Sequence, residues 1–145
     1  MKRLLYFERA LSAGAADPTE FEQDAVPIYL YASSEVSRAD YVFTVNGDSM
    51  EPEYHSGDLV LVQRNTESRP LFPGEIGAFI VGNETYIKRY EKDGLHSLNP
   101  QYAVMRYDEE QAVYLIGRVL GSVLPDCVAD EAAVDAWLAL RSGVR

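Results

Sequence analysis

Ser49, Lys88 and the pair Ala13-Gly14 are the residues of this chain whose types suit one another chemically. Ser49 sits in Gly47-Asp48-Ser49-Met50-Glu51-Pro52, just after the alternating run Tyr41-Val42-Phe43-Thr44-Val45. Lys88 sits inside a second β-like run, Thr85-Tyr86-Ile87-Lys88-Arg89-Tyr90. A serine hydroxyl at neutral pH is a poor nucleophile and needs a base in hydrogen-bond reach. A lysine amine is such a base only when neutral, and its ordinary pKa near 10.4 keeps it a cation. Burial penalises the cation and lowers that value by up to roughly 3–5 units. Ala13-Gly14 is a small peptide bond in a polar segment, able to enter a narrow cleft without clashes. A substrate on the same chain has a high effective concentration, so weak recognition suffices. These residues therefore describe a nucleophile, a base and a scissile bond in one polypeptide.

Each also has a plainer reading. Ser in a Gly-Asp-Ser turn is often only a turn former, and Ser12-Ala13-Gly14-Ala15-Ala16 reads equally as a flexible linker. Alternation gives Lys88 the parity of Tyr86 and Tyr90, and gives Ile87 that of Thr85 and Arg89. Either face could turn inward, so alternation alone leaves Lys88 buried between aromatics or exposed to solvent. His55 and His96 are the chain's two histidines. A Ser-His-Asp triad stays open on residue types, although neither histidine lies in a recognisable motif. Met50 and Pro52 are expected to pack and shape the turn, and Gly47 to let the backbone bend tightly.

Strands must position these groups. From Tyr41 onward the pattern has a period of two, which predicts strands over 41–46, 59–63, 77–81, 84–90, 94–98, 103–107 and 112–120. Turn signals separate them, with Gly82-Asn83 as a two-residue hairpin loop. The fold class expected is mainly β: a coiled, mostly antiparallel sheet with a C-terminal helix. Residues 10–37 hold five acids and no Lys or Arg, which predicts an extended arm with little helix. Val26-Pro27-Ile28-Tyr29-Leu30-Tyr31 could add an edge strand to it. Asp130 and Glu131 open a helical pattern through Val134, Trp137, Leu138 and Arg141, and Gly143 stops it. Trp137 is expected to pack on the domain's own surface, with a dimer or partner contact as the alternative. The chain thus divides into an arm, 1–40, a β domain, 41–124, and a helical extension, 125–145.

Charge narrows the function. With 23 acids against 13 bases, the formal net charge is −10. Such a chain repels a polyanion, so direct DNA binding is a poor fit. A single cysteine, Cys127, excludes an internal disulfide and fits a reducing compartment. No apolar run approaches a membrane span and no signal-peptide pattern opens the chain. A cytoplasmic location without membrane contact is expected.

Four blocks, in order, carry a resemblance: Ser12-Ala13-Gly14-Ala15; Gly47-Asp48-Ser49-Met50-Glu51-Pro52 with Gly57-Asp58-Leu59-Val60-Leu61-Val62; Gly74-Glu75-Ile76-Gly77-Ala78-Phe79-Ile80 leading into Tyr86-Ile87-Lys88-Arg89-Tyr90; and Leu98-Asn99-Pro100 with Gly117-Arg118-Val119-Leu120-Gly121. Over residues 6–124 the chain resembles the LexA-type self-cleaving domain of SOS repressors, phage repressors and UmuD proteins, the S24 serine peptidases. The resemblance implies a LexA/signal-peptidase-like fold and a Ser49–Lys88 catalytic dyad. It also implies an oxyanion hole from the backbone N–H groups of Asp48 and Ser49, and self-cleavage at Ala13-Gly14. No cofactor or metal is implied. The implied partners are a second copy of the chain and a RecA–single-stranded-DNA filament acting as coprotease. DNA would be met only through an N-terminal helix-turn-helix domain, for which residues 1–13 have no room. The chain is therefore expected to be the C-terminal part of a LexA- or phage-type repressor. A free-standing UmuD-like protein and a non-cleaving dimerisation module are the alternatives. A signal-peptidase relative would share the Ser-Met box and Lys base, but lacks support in any membrane segment.

Overall fold

Alternating Val, Ile, Leu, Tyr and Phe build the strands that carry Ser49 and Lys88, because such side chains pack well on a pleated, half-buried surface. The computed structural model describes residues 1–7, 22–23, 25–82, 84–107 and 111–142. Its strands are β1 (Lys2–Phe7), β2 (Val26–Leu30), β3 (Tyr41–Thr44), β4 (Leu59–Arg64), β5 (Ile76–Val81), β6 (Glu84–Glu91), β7 (Gly94–His96), β8 (Met105–Arg106) and β9 (Val113–Val123). They form one open sheet in the order β2-β1-β3-β4-β9-β5-β6-β7-β8. Each neighbouring pair is antiparallel except β1 with β3. This is the mainly β, mostly antiparallel architecture that the alternation predicts.

The longest strand, β9, stitches the halves together by pairing with β4 on one side and β5 on the other. Its register slips once against each neighbour, between Leu61 and Val62 and between Ala78 and Phe79. Such bulges bend a strand and raise its local twist, which coils the sheet. Gly117 is where β9 passes closest to β4. A Cβ there would lie 2.1 Å from the Gln63 carbonyl oxygen, so only glycine fits.

Both faces of the central strands are covered. Tyr41, Phe43, Val60 and Val62 face one cluster, which also holds Phe7, Met50, Tyr54, Ala78, Ile80 and Ile116. Val42 and Leu61, at the intervening positions, face a second cluster with Leu4, Leu30, Val36 and Ala39. The short helix α1 (Ser34–Arg38) delivers Val36 to that second face, and the Ser33 side chain caps it by accepting from the Val36 N–H at 3.1 Å. A helix here departs from the extended arm expected over 10–37.

The N-terminal residues depart further. β1 had no signal in the alternation, yet it is an interior strand between β2 and β3. Its pairing with β3 joins residues far apart in sequence, Leu5↔Tyr41, Tyr6↔Val42 and Phe7↔Phe43. The Phe7 and Phe43 rings stack with centroids 4.8 Å apart. A strand of six residues with two charges at its head is recognisable only through such tertiary partners. β2 takes the outer edge as expected, and Pro27, which cannot donate to a ladder, is tolerated there.

Helix α2 (Glu131–Arg141) closes the chain near the position its pattern predicts. Asp130 caps it, accepting from the Ala133 N–H at 2.8 Å. The segment before it covers part of the β2 edge, through Tyr31 N–H to Cys127 O and Ala129 N–H to Tyr29 O, both 2.9 Å. Trp137 meets Tyr29 edge-on at 5.8 Å, so it packs on the domain's own sheet. Among the described residues no helix is long and apolar enough to cross a membrane.

Candidate active site

Ser49 is held by the connection between β3 and β4. Gly47 takes φ +83°, a left-handed conformation that a side chain disfavours, and its N–H donates to the Ser56 hydroxyl at 3.2 Å. Met50, 1% exposed, drops into the main core and anchors the turn from beneath. Pro52 follows through a cis peptide bond. The turn is also clamped from outside. The Asn99 N–H donates to the Ser49 carbonyl at 2.9 Å, and the Asn99 side-chain amide donates to the Asp48 carbonyl at 3.1 Å. The Tyr102 hydroxyl donates to the Asp48 carboxylate.

Lys88 comes from the middle of β6. Of the two options left open by alternation, Lys88 takes the buried one, and β6 is covered on both faces. Ile87 packs against the main core, while Tyr86 and Tyr90 pack against a third cluster of Phe79, Val81 and Leu95. Lys88, on the Tyr86–Tyr90 face, is only 5% exposed. Its Nζ lies 5.8 Å from the centre of the Tyr86 ring and 5.6 Å from that of Tyr102. Burial pushes the Lys88 pKa below the ordinary lysine value.

The two residues meet across 39 positions of sequence: Lys88 Nζ lies 2.9 Å from Ser49 Oγ. The same nitrogen lies 2.7 Å from Ser97 Oγ. A cleft of about 390 Å³ opens over them, lined by Asp48, Ser49, Glu84, Tyr86, Ser97 and Tyr102 among others. A smaller pocket beside it brings Phe7 of β1 together with Ser49, Met50 and Lys88. Among the described residues, the Asp48 and Ser49 backbone N–H groups make no hydrogen bond to another protein group, and both residues line the cleft.

The histidines go elsewhere. His55 faces Glu51 at 3.4 Å on an exposed surface, and His96 faces Asp93 at 2.8 Å. Neither makes a hydrogen bond to Ser49 among the described residues. Ala13 and Gly14 lie outside the described residues. Residue types alone did not single out Ser97, Asn99 and Tyr102. Ser97 could have been found once the hairpin register was known, since Arg89↔His96 sets Ser97 beside Lys88. Asn99 and Tyr102 act through a loop fold that no strand pattern encodes.

The sequence that builds this turn, the buried lysine and the sheet matches one family over most of the chain. The Peptidase S24-like family model matches residues 6–120.

The chain belongs to the Peptidase S24-like family.

That membership agrees with the four sequence blocks and makes this S24 domain a serine peptidase of the LexA/UmuD type. No curated protein matches the chain significantly.

Proposed function

We propose that this S24 domain cuts its own backbone between Ala13 and Gly14, as the C-terminal, dimerising part of a LexA- or phage-type repressor. The observation that carries the reading is the 2.9 Å contact between a buried lysine nitrogen and Ser49 Oγ. Neutral Lys88 takes the Ser49 proton as Oγ bonds to the Ala13 carbonyl carbon. The resulting oxyanion is held by the Asp48 and Ser49 N–H groups, donors of a kind typically worth about 3–4 kcal/mol of barrier. The intermediate collapses, the C–N bond breaks, and the Lys88 ammonium protonates the departing Gly14 amine. Water then hydrolyses the Ser49 ester, with Lys88 again accepting a proton and Ser49 recovering its own.

Chain connectivity supports the same substrate. Phe7 lines the pocket beside the dyad, and Ala13 lies six positions further along the chain. Extended, six such steps reach about 20 Å, enough to lay the bond across the cleft. On the other side Glu22 is anchored, its carboxylate accepting from the Tyr41 hydroxyl at 2.7 Å. A RecA–single-stranded-DNA filament would promote the reaction by favouring the docked arm, without adding a catalytic group. In the full repressor, dimerisation would hold two DNA-binding domains on two half-sites. Cleavage would disconnect them and remove that avidity.

Incubation of the purified chain at rising pH, followed by intact-mass analysis, tests this. A fragment beginning at Gly14 is expected. Its rate of formation should rise with pH and level off below the ordinary lysine range, because burial lowers the Lys88 pKa and only the neutral amine accepts a proton. A rise centred near 6.5 would instead indicate histidine. Ser49→Ala and Lys88→Ala should each abolish cleavage, while His55→Ala and His96→Ala leave it intact. Undiminished cleavage in Ser49→Ala would overturn the dyad. A chain that stays whole but dimerises would be a non-cleaving dimerisation module.

A further inference from the structure

Lys88 Nζ touches two hydroxyls, and the family match assigns a role to neither. The contact to Ser97, at 2.7 Å, is the shorter. Ser97 directly follows β7, and the β6–β7 register that pairs Arg89 with His96 brings it alongside Lys88. It is half-buried and lines the same cleft as Ser49. Its place is therefore set by strand pairing rather than by a chance surface rotamer.

A neutral lysine amine has two N–H donors and a single lone pair. To receive the Ser49 proton, that lone pair must point at Ser49 Oγ. Both N–H groups must then point elsewhere and need something to receive them. The Ser97 oxygen is an acceptor in the right place for one. The faces of Tyr86 and Tyr102 lie at 5.8 and 5.6 Å for the other. We propose that Ser97 is a positioning residue for the base: by accepting an N–H from Lys88, it aims the amine lone pair at Ser49 Oγ. Without it, the amine rotates freely about its terminal bond and spends its N–H groups on Ser49, the oxygen it must deprotonate. The inference rests on the Ser49–Lys88 reading and deepens it.

The role has a signature that a purely structural one lacks. An acceptor oxygen stabilises the ammonium more than the amine, so its removal makes Lys88 easier to deprotonate. Ser97→Ala should therefore move the pH profile of cleavage downward while lowering the plateau. The plateau should fall about tenfold to a hundredfold, the scale of a misaligned reacting group. Ser97→Thr, which keeps the hydroxyl, should restore both. The titratable groups that face Lys88 are Asp48 from the nucleophile turn, Tyr102 from the loop after β7, and Glu84 and Tyr86 from β6. Two pairs tie them together, Tyr102 to Asp48 and Tyr86 to Glu84. Gly77, opposite Lys88 on β5, brings no charge.

The experiment has two arms on the whole chain. In the first, cleavage rate against pH is compared for the wild-type chain, Ser97→Ala and Ser97→Thr. In the second, the Lys88 side chain is titrated by NMR in a Ser49→Ala background, where the chain stays whole, with and without Ser97→Ala. Lys88→Arg identifies its signal. A lowered plateau, a downward profile and a lowered Lys88 titration, all reversed by Ser97→Thr, are the expected result. An unmoved Lys88 titration and an unchanged plateau in Ser97→Ala overturn the inference and leave the dyad standing. Cleavage that survives Ser49→Ala overturns the dyad instead, and the Lys88 titration then decides whether Ser97 holds that amine.

Discussion

Lys88 is the residue where stability and chemistry pull in opposite directions. An amine 5% exposed would be better placed in water as a cation. The cause of its lowered pKa is desolvation, so protonation costs the folded state more than the unfolded one. The full penalty is present below the lowered folded value, and part of it persists up to the unfolded value near 10.4. As pH rises through the lowered folded value toward 10.4, the unfolded chain holds more protons than the folded one, and stability increases. Lys88→Met keeps the length of the side chain and removes the charge. It is expected to abolish cleavage and to raise stability at pH 7 by about 0.5–2 kcal/mol, the usual range for one stabilising change. The gain should shrink as pH rises toward 10.4 and vanish above it. Urea melts of both proteins at neutral and high pH would check this, and equal stability at pH 7 would mean that the buried amine carries no net penalty.

At the scale of elements, β1 gives the proposed cut an unusual consequence. It lies inside the sheet, paired with β2 over five positions and with β3 over three. Leu4 and Phe7 are buried in two different clusters. A break between Ala13 and Gly14 would leave all of these contacts intact. The fragment 1–13 is therefore expected to remain bound after cleavage. Native mass spectrometry should find both pieces in one particle, and denaturing mass spectrometry should find them apart. Prompt loss of the fragment under native conditions would show that β1 contributes little to the sheet. The other end of the chain makes a lesser contact. Trp137 is half-buried against Tyr29 and also lies under the Arg141 guanidinium at 4.6 Å. Trp137→Ala should cost about 1–3 kcal/mol, less than the loss of a fully buried aromatic. A thermal melt unchanged from the wild-type chain would make α2 a solvated appendage.

For the whole molecule, charge is the governing quantity. A net charge of −10 on one copy repels the same charge on another. The proposed dimer must therefore draw its stability from short-range contacts and lose some of it to long-range repulsion. Salt removes that repulsion, because the screening length falls from about 30 Å at 0.01 M to about 3 Å at 1 M. Self-association of the chain should accordingly tighten as salt is raised across that range, as read by sedimentation velocity. A dimer that loosens with salt would be held by interfacial ion pairs.

The sequence by itself determined most of the strands, the turn that carries Ser49, and the residue types on which the proposed dyad rests. Residues 41–44, 59–63, 77–81 and 84–90 carry their period of two locally, and all are strands in the structure. Gly47, Ser49 and Met50 declare a tight turn through glycine's freedom, a hydroxyl and an apolar anchor. What only the tertiary structure decided depends on partners distant in the chain. Alternation could not say which face of β6 is buried, because coverage comes from β7, the loop carrying Tyr102, and the main core. β1 was invisible because its stability lies in pairing with β3, more than thirty residues on. Ser97 and Asn99 reach Lys88 and Ser49 only because the β6–β7 hairpin closes in one register. Local residue types set what a segment can form. Long-range pairing sets which atoms end up within 3 Å of one another, and catalysis is read at that distance.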